Sequence, residues 1–158
     1  MTDKTRRQAL KHAAGSLCIG TAATVGWLGP RPARAAWPKE AFEAKTTKEL
    51  MASMFPGVTP ARNDALTLVA PELAENGTVV PVTVQSTLQG VESFTLIADG
   101  NPRPLVATFT MSRRAQLPVT VRMKLAKSQD IVVVARTADG RYHTATRPIR
   151  VSIGGCGG

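Results

Sequence analysis

Short runs of aliphatic and β-branched residues, separated by turn-forming residues, fill the chain after Pro60. The clearest run alternates strictly between apolar and polar residues, and its apolar positions are Val119, Val121, Met123 and Leu125. Such alternation buries one face of a strand and leaves the other face in water. Seven runs of this kind predict strands over residues 65–70, 78–86, 91–98, 105–111, 117–127, 130–137 and 142–153.

Turn signals join these runs, and the strongest of them is Asp139-Gly140 between the last two. An Asp-Gly pair between two such runs predicts a β-hairpin. The number and spacing of the strands indicate a mainly β protein, an immunoglobulin-like β-sandwich of about seven strands. After Pro60 the chain has no Trp and one Cys. It therefore lacks the disulfide and the core Trp of antibody domains, and the strand topology stays open.

One N-terminal helix is predicted before the strands, over residues 38–54. Pro38 suits the first position of a helix, and Pro56-Gly57 ends the element. One face of this helix carries Phe42, Thr46, Leu50 and Met54, with charged residues opposite. A face of this composition favours docking on the domain or on a partner over a cofactor site.

The first 35 residues predict an export signal that is cleaved after Ala35. They contain six of the 20 basic residues, an apolar stretch over residues 13–28 and the small-x-small site Ala33-Arg34-Ala35. Arg6-Arg7, followed by Leu10-Lys11, favours the twin-arginine (Tat) route over a Sec signal or a retained anchor. Glycine, serine and threonine dilute the apolar stretch, which argues against a membrane span. We therefore expect a mature periplasmic protein that has no contact with the membrane after cleavage.

The predicted mature chain is only mildly basic. Removing residues 1–35 leaves 14 Lys and Arg (20 minus 6) against 10 Asp and Glu (11 minus Asp3), a net charge of +4 instead of +9. No basic run interleaved with aromatic residues remains, and Arg113-Arg114 is typical of a solvated turn. Nucleic acid is therefore not an expected partner.

The mature chain offers few groups for catalysis. His143 is its only histidine, because His12 belongs to the signal, and a lone histidine in a hairpin strand is typical of a surface or edge position. One Cys and one His do not make a metal-ligand set of standard spacing. Solvation and capping account for the carboxylates of the helix and the turns, which are Glu40, Glu43, Glu49, Asp99, Asp130 and Asp139. We predict no catalytic residue, no metal site and no cofactor.

One cysteine remains in the mature chain, within the terminal sequence VSIGGCGG. Cys156 has no partner for an internal disulfide, so its thiol is free in an oxidising compartment and calls for a role. Glycine combines mobility with minimal bulk, which predicts a flexible arm over residues 154–158 behind a domain over residues 36–153. The sequence places no cation, base or helix start beside Cys156 to activate the thiolate. The pattern therefore favours a thiol on which other proteins act.

The Tat signal, the helix ahead of a β-domain and the terminal Gly-Gly-Cys-Gly-Gly resemble the SoxY family, the sulfur-carrier subunits of bacterial thiosulfate oxidation. The resemblance implies an immunoglobulin-like fold, a periplasmic location and a heterodimer with SoxZ, the SoxYZ complex. It implies that Cys156 is the site of covalent substrate attachment, as an S-thiosulfonate and as sulfane derivatives. The swinging arm then consists of the glycines Gly154, Gly155, Gly157 and Gly158 around Cys156. SoxAX, SoxB and SoxCD would bind the carrier transiently and perform the chemistry, so that the chain itself is not an enzyme.

Three alternatives to a carrier stay open. A thiol-dependent oxidoreductase or sulfurtransferase acting on its own would use Cys156 as a catalyst. A structural interaction module would leave Cys156 without a function. A disulfide between two Cys156 thiols would link two copies of the chain.

Overall fold

A computed structural model describes residues 39–112, 115 and 117–154 of the chain. The predicted Tat signal, residues 1–35, lies outside the described residues, as do Arg113-Arg114 and the last four residues of the chain.

Two short helices, α1 (Lys39–Glu43) and α2 (Thr47–Met54), divide the segment for which one helix was predicted. The side-chain oxygen of Thr46, whose backbone is extended, accepts the backbone N–H of Glu49 at 3.2 Å. The Glu49 carboxylate in turn accepts the backbone N–H of Lys45 at 2.9 Å. The bond to Thr46 begins α2, and the bond from Lys45 to the Glu49 side chain replaces a helical bond that would continue α1. No helix of the described residues is long and apolar enough to cross a membrane.

Within the described residues, nine strands form two sheets. Their bounds are β1 (Ala61–Arg62), β2 (Leu66–Val69), β3 (Leu73–Asn76), β4 (Val80–Ser86), β5 (Val91–Ala98), β6 (Leu105–Thr110), β7 (Val119–Met123), β8 (Gln129–Thr137) and β9 (Tyr142–Ile153). The larger sheet has the order β1-β9-β8-β5-β6, with β3 also paired to β9, and the smaller sheet has the order β2-β4-β7. β1 and β3 run parallel to β9, whereas the other neighbours are antiparallel.

The predicted mainly β, immunoglobulin-like sandwich is confirmed. Each of the seven predicted runs corresponds to one strand; the bounds of β5 and β9 agree to the residue, and β8 begins one residue before its predicted run. The additional strands β1 and β3 are only two and four residues long. They carry too few residues to show an alternating pattern, and they form by pairing with β9.

The main core lies between the two sheets. Val80, Val82 and Val84, alternate residues of β4, are fully buried and share this core with Phe94 of β5. The Phe94 ring stacks on that of Phe109 in β6, with the ring centroids 4.8 Å apart. Burying one side chain of this size contributes about 1.5–3 kcal/mol. This burial fixes which face of each strand points inward.

A second cluster covers the other face of the larger sheet. Leu50 of α2 is fully buried and belongs to one cluster with Ile97 of β5 and Val134 of β8. The ring of Phe55, which follows α2, meets that of Tyr142 edge to face, with the centroids 5.5 Å apart. β5 is therefore buried on both faces, and the predicted helical face docks on the domain.

The predicted Asp139-Gly140 hairpin joins β8 to β9. Gly140 has a φ of 82°, and the Thr137 N–H donates to the Arg141 carbonyl at 3.0 Å. The Asp139 carboxylate accepts hydrogen bonds from the Thr137 hydroxyl at 2.6 Å and from the backbone and guanidinium of Arg141. These bonds, that of Thr137 foremost, lower the pKa of Asp139 to about 2.

Candidate functional site

The predicted site is the terminal segment 154–158, of which the structure describes the first residue, Gly154. The predicted attachment residue, Cys156, lies outside the described residues, together with Gly155, Gly157 and Gly158. The structure therefore shows how the domain holds the base of this segment.

Strand β9 leads into the segment and is paired over its whole length. From Tyr142 to Ile149 it pairs with β8, opposite residues Arg136 to Gln129. From Arg150 to Ile153 it runs parallel to β3. The base of the terminal segment is thus the end of a strand that is paired with β3.

Gly77 ties the last residue of β9 to the loop between β7 and β8. Its N–H donates to the Ile153 carbonyl at 2.7 Å, and its own carbonyl accepts the Leu125 N–H at 2.8 Å. Gly77 and Leu125 are both buried. The end of β9 is therefore connected to the core through one residue.

Ser128 extends the hydrogen bonding of β9 beyond the start of β8. The Ser128 hydroxyl oxygen accepts the Val151 N–H at 2.9 Å and also lies 3.4 Å from the Val151 carbonyl oxygen. The backbone pairing of β8 with β9 ends at Gln129, and the Ser128 side chain supplies the next hydrogen-bond acceptor for β9. The last residues of β9 are therefore bonded both to β3 and to the residue that precedes β8.

Gly154 lies directly against the backbone of Ala126. A Cβ atom built on Gly154 would stand 2.1 Å from the Ala126 carbonyl oxygen and 3.1 Å from its carbon. Real Cβ atoms essentially never approach another atom below 3.0 Å, so a residue other than glycine would require the backbone to move. We call Gly77, Ala126 and Ser128 the collar, because they contact the base of the terminal segment.

Two side-chain amides hold the collar residue Ala126. Asn101 accepts the Ala126 N–H on Oδ1 at 2.9 Å and donates from Nδ2 to the Lys124 carbonyl at 2.9 Å. Gln129 donates from Nε2 to the same Asn101 Oδ1 at 2.9 Å, and its Oε1 accepts the Gly100 N–H at 2.6 Å. The loop that Gly154 touches is therefore braced by the turn between β5 and β6.

Exposed apolar side chains occur in the segments next to the collar. Leu73 in β3, Val79 just before β4 and Ile153 at the end of β9 are 54%, 58% and 67% exposed. Ile153 is also the residue whose carbonyl accepts the Gly77 N–H. The surface beside the base of the segment is therefore partly apolar.

His143 is buried, contrary to the surface or edge position that the sequence predicted. It is 9% exposed, because Asn63 and Thr137 cover the two nitrogens of its ring. Asn63 Nδ2 lies 3.2 Å from His143 Nδ1, and Thr137 Oγ1 lies 3.4 Å from Nε2. At about 3.3 Å per strand residue, His143 stands about 33 Å from Ile153, at the opposite end of β9. It has a structural role and does not reach the terminal segment.

Three of the carboxylates considered in the sequence make structural contacts. Glu43 pairs with Lys39 at 3.7 Å, Glu49 caps α2, and Asp99 accepts the hydroxyl of Thr47. No group of three or more His, Cys, Asp and Glu side chains in the described part of the chain could hold a metal ion.

Sequence comparison identifies the family. The family model of the sulfur oxidation protein SoxY matches residues 51–156, which is well over half of the chain. The match runs from α2 through the sandwich and ends at Cys156. No curated protein matches the chain.

Solved structures agree with the family match. The sulfur carrier protein SoxY from Chlorobium limicola f thiosulfatophilum is 33% identical with a TM-score of 0.60, and the alignment covers 67% of this chain and 96% of that chain. A superoxide reductase (neelaredoxin) from Ignicoccus hospitalis is 18% identical with a TM-score of 0.50, covering 55% of this chain and 80% of that chain. At 18% identity the second likeness concerns the fold alone. The chain belongs to the SoxY family of sulfur oxidation proteins.

Proposed function

We propose that the chain is a covalent sulfur-substrate carrier of periplasmic thiosulfate oxidation and that Cys156 is its attachment site. The observation that carries this proposal is the SoxY family match, which ends at the only cysteine of the predicted mature chain. The related protein from Chlorobium is itself a sulfur carrier. The collar supports the proposal, because it ties the base of the terminal segment to the domain through hydrogen bonds and a close backbone contact.

Loading forms one sulfur–sulfur bond. The Cys156 thiol loses its proton and joins the outer sulfur of thiosulfate, and two electrons pass to the haem enzyme SoxAX, which is the oxidant. The product is a cysteine S-thiosulfonate. Water in the SoxB site then attacks the sulfonate sulfur and releases sulfate, which leaves a persulfide on Cys156. Where SoxCD is present, it oxidises the outer sulfur of that persulfide to a sulfonate, with three water molecules supplying the oxygen atoms and six electrons passing to SoxCD.

In this scheme the enzymes activate the thiol and the carrier presents it. A thiolate becomes reactive beside a cation, a base or a helix start. Among the described residues, the one histidine, His143, lies at the opposite end of β9 from the terminal segment. The carrier forms a heterodimer with SoxZ, and the Tat route exports the folded pair to the periplasm.

Intact-mass measurement tests the attachment site. The protein is incubated with thiosulfate, SoxZ and SoxAX, and the adduct is mapped to a peptide after digestion. We expect one thiosulfate-derived adduct on Cys156 that a thiol reductant removes, and no adduct in Cys156→Ala.

Adducts that persist in Cys156→Ala would refute the proposal. Turnover of thiosulfate by the isolated chain, without SoxAX, would instead favour the thiol-dependent oxidoreductase or sulfurtransferase. Unchanged thiosulfate oxidation by the whole system with Cys156→Ser would favour a structural interaction module.

A further inference from the structure

We propose that Gly154 belongs to the folded domain, in which the collar holds it, so that the reach of the Cys156 thiol is set by two residues of chain. This inference rests on the proposed carrier function. It assigns Gly154 to the anchored domain and leaves residues 155–158 to present the thiol. Gly154 is then a packing glycine, and the collar determines the place from which the thiol is presented.

The contact between Gly154 and Ala126 carries the proposal. A Cβ built on Gly154 would lie 2.1 Å from the Ala126 carbonyl oxygen. The backbone fixes the positions of both atoms, so no side-chain rotation would relieve the clash. A glycine that serves only mobility does not need such a contact, since its Cβ position would be open. Gly57 and Gly140, two turn glycines of the same domain, have no atom within 4 Å of that position.

Two hydrogen bonds to the backbone of β9 fix the residues that precede Gly154. Gly77 holds the Ile153 carbonyl, and Ser128 holds the Val151 N–H. These two bonds engage β9 within three residues of Gly154. The end of β9 is therefore held in a defined place.

Asn101 positions the other side of the contact. Its Oδ1 accepts the Ala126 N–H, and its Nδ2 binds the Lys124 carbonyl, so one side chain bridges the loop at two points. Asn101 acts on the terminal segment through Ala126, and it is a positioning residue in this sense.

The anchored glycine limits how far the thiol extends. Two residues of extended chain span at most about 7 Å, against about 10 Å for three. An enzyme that binds the thiol must therefore bring the mouth of its active site close to the collar. Because misplacing a reacting group by about 1 Å can cost a factor of about 100 in rate, a shift at the base of the segment reaches the chemistry.

The test compares Gly154→Ala with Gly157→Ala in SoxZ-bound full-length protein. Amide hydrogen exchange is read at Gly77, whose N–H donates to Ile153. We expect Gly154→Ala to speed exchange of the Gly77 amide about tenfold, because the added Cβ displaces β9 from the collar, and Gly157→Ala to leave it unchanged. Equal exchange in Gly154→Ala and the unaltered protein would overturn the proposal.

Ser128→Ala is a milder second variant, with Ser112→Ala as its control at an exposed position. Loss of the Ser128 hydroxyl is expected to speed exchange of the Val151 amide about tenfold and to lower kcat for loading by SoxAX, with KM for the carrier within about twofold. If Ser128→Ala only destabilised the fold, a smaller fraction of the carrier would load and kcat would stay unaltered. That result would contradict a positioning role.

The two proposals fail in different ways. If unaltered protein takes no adduct on Cys156, the carrier function is wrong, and the exchange comparison still decides whether Gly154 is anchored. If Cys156 loads normally but Gly154→Ala changes neither exchange nor kcat, the carrier function stands and the anchored glycine is wrong.

Discussion

At the scale of single residues, one hydroxyl sets the charge behaviour of the hairpin. The Thr137 hydroxyl is the largest cause of the lowered pKa of Asp139, ahead of the bonds from Arg141. The folded-state pKa lies at about 2, below the ordinary value of 3.8. The stabilisation is therefore complete above about pH 4 and is lost as the pH falls through about 2.

Thr137→Val tests this assignment. We expect the pKa of Asp139 to move up toward 3.8, because valine has the shape of threonine without its donor. Carboxyl NMR titration measures the shift. The control Thr95→Val removes another buried hydroxyl, bonded to Thr108 at 3.0 Å, and should leave Asp139 unaltered. A pKa of Asp139 that stays at about 2 in Thr137→Val would exclude the hydroxyl as its main cause.

Residue roles were predictable where they depend on neighbours in sequence. The Asp139-Gly140 hairpin follows from two adjacent residues. The burial of His143 depends on Asn63, 80 residues away, and no local pattern indicates that contact. The sequence predicts the collar and its support only in part. Asn76-Gly77 and Asp99-Gly100-Asn101 are recognisable as turns, but no local pattern indicates that Gly77 binds the end of β9 or that Asn101 binds Ala126.

At the scale of elements, the start of α2 depends on a short motif. Thr46-x-x-Glu49 is the capping-box pattern, and it was present in the sequence within the predicted helix 38–54. The four-residue repeat of the helical face concealed it, because Thr46 occupies one position of that repeat. The cap explains why one predicted helix is two.

Thr46→Ala should lower the free energy of unfolding by about 1 kcal/mol, since the N-cap acceptor of the Glu49 N–H is lost. Urea denaturation measures the change. Ser53→Ala, an exposed change inside α2, is the control and should stay within about 0.5 kcal/mol. Equal values for the two variants would show that the cap does not stabilise the docked helix.

The long strands were predictable, whereas the short ones were not. β5 and β9 are bounded by turn residues and carry enough β-branched residues to be recognised. β1 and β3 become strands only through parallel pairing with β9, which joins residues about 80 positions apart in sequence. Such pairing belongs to the tertiary fold and leaves little trace in local composition.

At the scale of the whole molecule, two apolar layers hold the domain together. One lies between the sheets, and the other lies between the larger sheet and the helices. The sandwich itself was predicted from strand number and spacing, and the family from the terminal motif. The second layer could not be predicted in detail, because the sequence left open whether the helical face meets the domain or a partner.

Leu50→Ala tests the second layer. Leu50 is fully buried, so we expect a loss of about 2–5 kcal/mol in the free energy of unfolding. Leu73→Ala removes the same atoms from a side chain that is 54% exposed, and it should cost far less. Urea denaturation compares the two. Similar losses would mean that α2 is not docked on the sheet in solution.

The parallel pairing of β3 with β9 has a mechanical consequence. A pull on the end of the chain along the axis of β9 acts across its hydrogen bonds to β8, which lie perpendicular to the strand, and to β3, which slant across it. Those bonds are then strained in shear and must yield together, instead of opening one after another as they do when a strand is peeled from its end. An enzyme that withdraws while it still grips the carrier's last residues would therefore stretch the terminal segment before it disturbs the sheet.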